Sequence, residues 1–225
     1  MALTVELVKL ALPRRVPFHF ISSASVTRFV CTDSFGESSV ASFPPPTIPQ
    51  DDYTTAKWVC EVYLERVSQS LGIPVWIHRP SSVTGSNAPK LELMSNVLRY
   101  CQSTRKIPDS EAWSAVFDFI PVESAAAQII EVVHESGATS VENKGTRFVY
   151  ESGEIQVEQN EVQTMMEADA GQKFETVPLA EWVNAAEAAG ISPLLGVYLS
   201  QAADSQILLP RLVKGSGQGA VYEWA

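Results

Sequence analysis

The sequence predicts an α/β protein, with a partial, doubly wound parallel sheet in residues 1–85, a mainly helical C-terminal subdomain in residues 86–210, and a flexible tail in residues 211–225. Three observations carry this reading. Two short apolar runs rich in β-formers, VPFHFIS (Val16 to Ser22) and IPVWIHRP (Ile73 to Pro80), have the composition of strands buried on both faces of a parallel sheet. Between them lies one long helical pattern that meets the second run within a residue or two of Gly72, the spacing of a right-handed βαβ crossover. Beyond Gly85 the periodicity is mostly helical.

The elements follow in order. In residues 1–12 Leu3, Leu7, Leu10 and Ala11 share one face, which predicts a core-facing helix stopped by Pro13. The first strand ends in the hydroxyl cluster Ser22, Ser23 and Ser25. Residues 27–50 read as a long loop, because the prolines of FPPPTIP exclude helix and central strand, and a loop after a strand's C-terminal end is a functional position. Asp51 or Asp52 caps the crossover helix, whose inward positions are expected at Val59, Val62, Val67 and Leu71 and whose stop is Gly72. Further helices are expected over about 89–103, 123–134, 162–168, 179–189 and 194–203, with a strand pair near Arg147 to Val157, an extended FETVPL, and a mobile glycine-rich end.

Composition narrows the function. Asp and Glu outnumber Lys and Arg by 26 to 16, for a net charge of −10, so nonspecific binding to nucleic acid or anionic lipid is disfavoured. No apolar run has the length of a membrane span. The cysteines Cys31, Cys60 and Cys101 form no CxxC and no paired spacing, which argues against a disulfide framework or a metal site and for a reducing, cytoplasmic setting. His19 and His78 read as sheet residues, Cys60 as a small hydrophobe, and Asp118 as a structural carboxylate.

The residues that point to chemistry are Ser23, Tyr53 and Lys57. Tyr53 and Lys57 are four apart on the crossover helix and therefore on one face, where an ammonium beside a phenol makes the phenol a better proton donor. Ser23 sits at the C-terminal end of the adjoining strand, where open α/β sheets bind their ligands. A YxxxK pattern by itself is a weak signal; the strand end upstream and the Arg79-Pro80 strand end downstream give it weight.

The stretches FHFISSASV, YTTAKWVCE, WIHRPSSVTG, FDFIPVESAA and RFVYESGEIQV, taken in order, resemble the extended short-chain dehydrogenase/reductases. Among these they resemble most the C-terminal thioester reductase domains of fungal polyketide and nonribosomal peptide synthetases. The resemblance implies a Rossmann-like fold and NADP(H) as cofactor. It implies Ser23 as the residue that polarises a carbonyl, Tyr53 as proton donor, and Lys57 as the residue that tunes the phenol and holds the nicotinamide ribose. It places the segment Arg79, Pro80, Ser81, Ser82 and Val83 against the nicotinamide. The implied substrate is an acyl thioester on a carrier protein or a small polyketide or peptide.

Members of that group open with a GxxGxxG phosphate loop, whereas the first strand here already carries Ser23. Gly215, Gly217 and Gly219 lie at the other end and follow no strand that opens a helix. The expectation is a chain lacking the N-terminal nucleotide-binding half, with weak cofactor binding and a strand edge that favours self-association or a partner chain. Two readings stay open: a thioester reductase, or a non-redox protein on the same scaffold, either a Dieckmann-type cyclase or a binding partner.

Overall fold

The computed structural model describes residues 1–30, 32–45, 52–85, 89, 92–109, 116–138, 145–152, 155–203 and 210–215. They form two compact units: residues 1–81, 123–152 and 210–225 in the first, and residues 82–122 and 153–209 in the second. The sequence places one division near residue 85. The chain changes unit between Ser81 and Ser82 and later returns to the first unit, because a strand far downstream completes the first sheet.

The first unit is built on three parallel strands, β1 (Phe18–Ile21), β3 (Val75–His78) and β7 (Thr146–Val149), in the order β1-β3-β7. The register sets His19 opposite Trp76 and Ile21 opposite His78, and on the far side Trp76 opposite Arg147 and Ile77 opposite Phe148. All four residues of β3 are buried, as a central strand of a parallel sheet requires. Strand alternation sorts the sheet into two faces. Phe18, Phe20, Val75, Ile77 and Phe148 form one apolar core with Val8 of α1 (Ala2–Ala11) and with Leu64 and Val67 of α2 (Asp52–Leu71). The opposite face carries His19, Trp76 and His78, with Ser136 of α4 (Val122–Ala138) hydrogen-bonded to His19.

Two helical faces differ from expectation. In α1 the buried residues are Thr4 and Val8, while Leu3 and Leu10 are about three-quarters exposed at 73% and 75%. Thr4 lies against Cys60, its Oγ1 3.7 Å from Sγ, and this contact with α2 sets the inward stripe. In α2 the inward residues are Cys60, Leu64 and Val67, and Leu71 is exposed. Gly72 ends that helix with φ +64°, the left-handed turn that glycine makes without strain.

The segment after β1 is structured where described. A 3-10 turn covers Ala24–Phe29, and β2 (Ser34–Gly36) pairs in parallel with β10 (Arg211–Val213), so the start of the expected tail is a strand. Val26, Val30 and Val40 make a small core with Phe35, Phe43 and Trp58, and the Trp58 indole donates to Val40 O. Most of FPPPTIP, Cys31, Asp51 and residues 216–225 lie outside the described residues.

The second unit holds β4 (Ser82–Thr84), β5 (Lys106–Pro108), β6 (Val116–Pro121), β8 (Ile155–Glu158) and β9 (Glu175–Val177) with α3 (Leu93–Thr104), α5 (Gln159–Ala170), α6 (Leu179–Ala188) and α7 (Pro193–Ala203). Its sheet runs β4-β6-β8, and β5 pairs with β9. The strands expected as a pair near Arg147 to Val157 both form, but β7 joins β3 and β8 joins β6. Trp182, Ala186, Leu199, Cys101 and Val177 lie in its core. Among the described residues no helix is long and apolar enough to cross a membrane.

One buried ion pair ties the first unit together. Glu61 of α2 takes both Nε and Nη2 of Arg79, at 3.2 and 2.6 Å, and both side chains are fully buried. Arg79 Nη1 donates to Ser38 O at 2.8 Å, and the guanidinium lies 4.5 Å from the Phe148 ring centroid. Removing one partner leaves the other charge uncompensated in a dry interior, so Glu61→Ala is expected to cost about 3–5 kcal/mol. Chemical denaturation measures this, and a midpoint equal to wild type would show that the pair is not a fastening.

Candidate active site

The site is laid out along one stripe of α2. Tyr53, Lys57 and Glu61 are spaced four apart, so they stack on one face of the helix over two turns. Burial deepens along the stripe. Tyr53 is 58% exposed, Lys57 is half-buried, and Glu61 is fully buried against Arg79.

The structure brings Lys57 and Tyr53 together: the Lys57 ammonium lies 5.5 Å from the Tyr53 ring centroid and 5.2 Å from that of Phe20. It donates to Ile21 O at 2.7 Å, which fixes it at the C-terminal end of β1, two residues before Ser23. Burial lowers the Lys57 pKa from its ordinary value, opposed by Cys60 and by the Glu61 carboxylate.

Ser23 starts the 3-10 turn and accepts from Ser25 N at 3.2 Å. Ser25 Oγ in turn accepts from Thr54 Oγ1, also at 3.2 Å, and Thr54 is Tyr53's buried neighbour. Hydroxyl contacts therefore couple the strand end bearing Ser23 to the first turn of α2.

The strand end Arg79-Pro80-Ser81 adjoins the same place: Ala24 N donates to Pro80 O at 3.0 Å and Ser22 N to His78 O at 2.7 Å. The Arg79 side chain is turned into the core and committed to Glu61, so any contact of this residue with a ligand falls to its backbone. Ser82 and Val83 belong to the other unit, in β4, opposite Phe119 and Ile120. Asp118 is buried and accepts from Gln156 Nε2 at 2.9 Å, as a structural carboxylate does.

Sequence reading missed Glu61 and Glu151. Glu61 had a signal in its spacing, eight residues beyond Tyr53 on the same stripe. Glu151 had none, since its partner His78 is 73 residues away.

Residues 2–129 match the model of an NAD-binding family described as Male sterility protein. The chain belongs to that family. Within the family it is similar to the polyketide synthase-nonribosomal peptide synthetase phmA of Phaeosphaeria nodorum, 44% identical over 211 residues that cover 94% of this chain and 5% of that protein. The fold is that of the terminal R domain from the myxalamid PKS-NRPS biosynthetic pathway, at TM-score 0.63 and 23% identity over 95% of this chain and 54% of that one. The reductase domain of the aureusimine biosynthetic cluster gives TM-score 0.67 and 18% identity over 94% and 55%. The chain thus spans a small fraction of its synthetase relative and about half of each solved reductase domain. The Rossmann-like α/β architecture expected from sequence is the one found.

His19 and His78 are sheet residues, as expected, and they are also hydrogen-bonded to each other. His19 Nδ1 lies 2.9 Å from His78 Nε2, His19 Nε2 lies 3.0 Å from Ser136 Oγ, and His78 Nδ1 lies 2.6 Å from Glu151 Oε1. Burial, helped by His78, lowers the pKa of His19 from 6.5 to about 4. The unfolded chain takes up that proton near 6.5 and the folded chain only near 4, so stability is lost as pH falls through this window. The melting temperature is expected to drop between pH 6.5 and 4, and His19→Asn, which cannot titrate, should flatten that part of the curve. Thermal melts across the window check this, and equal slopes in both proteins would contradict it.

Proposed function

We propose that this chain carries the proton-donating side of a thioester reductase active site that uses NADP(H) and releases an acyl group from a carrier protein as an aldehyde. The observation that carries the reading is the placement of Lys57: its ammonium is 2.7 Å from Ile21 O at the strand end that leads to Ser23, and 5.5 Å from the ring of the exposed Tyr53. The membership of an NAD-binding family and the synthetase relative support it.

The residues present fit the nicotinamide end of such a cofactor. Tyr53 is exposed and Lys57 half-buried at the C-terminal edge of the sheet, where a ribose can meet both. The backbone of residues 79–81 would flank the ring, with Arg79 contributing no side-chain charge. When bound, the reduced nicotinamide supplies a hydride to the carbonyl carbon.

The chain's own groups handle the oxygen. Ser23 donates a hydrogen bond to the carbonyl oxygen and Tyr53 gives its proton as negative charge develops there. The Lys57 cation stabilises the phenolate that remains. When the C=O bond re-forms, the C–S bond breaks, Tyr53 recovers its proton, and the carrier thiolate takes one from solvent. The balance is one thioester, one hydride and one proton to one aldehyde and one thiol.

Tyr53→Phe removes only a hydroxyl from an exposed position. It is expected to leave the melting temperature near wild type while lowering turnover of a model acyl thioester with NADPH by about 10²–10⁴. Lys57→Ala should move the pH optimum upward, since the phenol loses its cationic neighbour. Aldehyde formation and NADPH oxidation measure both. Wild-type turnover in Tyr53→Phe would remove the assignment, and cyclised product formed without any nicotinamide would favour the Dieckmann-type cyclase instead.

A further inference from the structure

The polar face of the first sheet lies apart from Tyr53 and Lys57, yet it holds a hydrogen-bonded chain of Ser136, the half-buried His19, and the fully buried His78 and Glu151. We propose that His78 and Glu151 are positioning residues, which fix the strand ends carrying Ser23 and Ser81 through a buried hydrogen bond between their side chains. The proposal rests on the reading of Ser23 as the carbonyl-polarising residue.

The side chains form one continuous chain. Ser136 Oγ lies 2.8 Å from Val133 O and 3.0 Å from His19 Nε2. His19 Nδ1 and His78 Nε2, 2.9 Å apart, share one proton. At 2.6 Å, His78 Nδ1 and Glu151 Oε1 require a proton between them. The order is Glu151, His78, His19, Ser136, so the carboxylate's hold on His78 continues to β1 and α4.

The backbones of the same two residues hold the site. His78 O accepts from Ser22 N at 2.7 Å, and Glu151 O accepts from Ser81 N at 2.9 Å. Ser22 precedes Ser23, and Ser81 follows the Arg79-Pro80 strand end. Beyond the last paired residues, Ile21 with His78 and His78 with Val149, a strand end is prone to fray. The Glu151 carboxylate gripping His78 closes that end, because it ties the residue two beyond β7 back onto the last residue of β3.

The setting makes the grip specific. His78 and Glu151 are fully buried, and among the described residues Glu151 Oε2 has no hydrogen-bond partner, so His78 is the carboxylate's hydrogen-bonded support there. Around the pair stand His19 from β1, stacked on Trp76 at 5.0 Å, Arg147 from β7, 5.7 Å from the Trp76 ring, and Ser136 from α4. On the other face Arg79 is engaged by Glu61.

The chain has three histidines, so labelling them with ¹⁵N in the full protein, with His134→Gln to assign the third, reads the arrangement directly. At pH 7 His78 Nδ1 is expected to bear a low-field proton that Glu151→Gln abolishes. Glu151→Gln should also speed amide exchange at Ser22 and Ser81 by about tenfold relative to the second unit, and lower kcat more than it raises KM. A His78 Nδ1 that bears no such proton in wild type would overturn the proposal even if the variant fails to fold. Unchanged exchange at Ser22 in a folded Glu151→Gln would overturn it as well. Absence of thioester reduction in wild type would defeat the reductase reading alone, since the His78 proton and the exchange rates still decide the positioning.

Discussion

The interaction on which the first unit depends is the buried pair of Glu61 and Arg79. A fully desolvated carboxylate and guanidinium persist only in good geometry with their remaining hydrogen-bonding groups met, and here the geometry is two-point, with Ser38 O taking a third N–H and the Phe148 ring facing the cation. Because Glu61 lies on the stripe of Tyr53 and Lys57, fixing Glu61 fixes the rotation of α2 about its axis. A helix held only by Leu64 and Val67 against an apolar sheet could turn by a fraction of a residue at small cost. A bidentate ion pair does not allow that turn.

The same pair organises the segment after β1. Arg79 reaches Ser38 O, Tyr150 donates its hydroxyl to Gly36 O, Glu37 takes Tyr150 N, and Ser39 donates to Glu65. Burial pushes the Tyr150 hydroxyl up to about 12, so it stays a donor throughout the ordinary pH range. A stretch that reads as irregular is thus held by polar contacts to the core helix and to the end of β7.

Much of this was legible in sequence and some was not, for physical reasons. β1 and β3 were readable because buried parallel strands are short continuous apolar runs, and the end of α2 because glycine accepts φ +64°. The faces of α1 and α2 were misread because periodicity shows that an apolar stripe exists without showing which neighbouring stripe meets the sheet; Thr4 and Val8, not the leucines, fit against α2 and β3. The partners of β7 and β8 were misread because adjacency in sequence does not decide strand pairing once each strand has a better partner elsewhere. Tyr53, Lys57 and Ser23 stand out in sequence by their spacing, and the structure sets the Lys57 ammonium near the Tyr53 ring and at the strand end that leads to Ser23. Glu151 does not stand out, because a buried carboxylate is explained only by the distant residue that pairs with it.

The stripe on α2 sets the residues proposed for chemistry, Tyr53 and Lys57, directly above the buried Glu61. Charge on Glu61 is tolerable in the interior because Arg79 pairs with it, while burial lowers the Lys57 pKa, opposed by Cys60 and then by Glu61. Lys57 sits at a half-buried position, where the field of its ammonium reaches Tyr53 with less screening than at an open surface. Tyr53, one turn further out, is exposed enough to meet a substrate. Placed one turn deeper, the phenol would be closed off from any ligand; placed on another stripe, it would lose the cation. The three residues form a gradient from core to solvent, in which the buried Glu61 is held by Arg79 and the half-buried Lys57 lies between it and the exposed phenol.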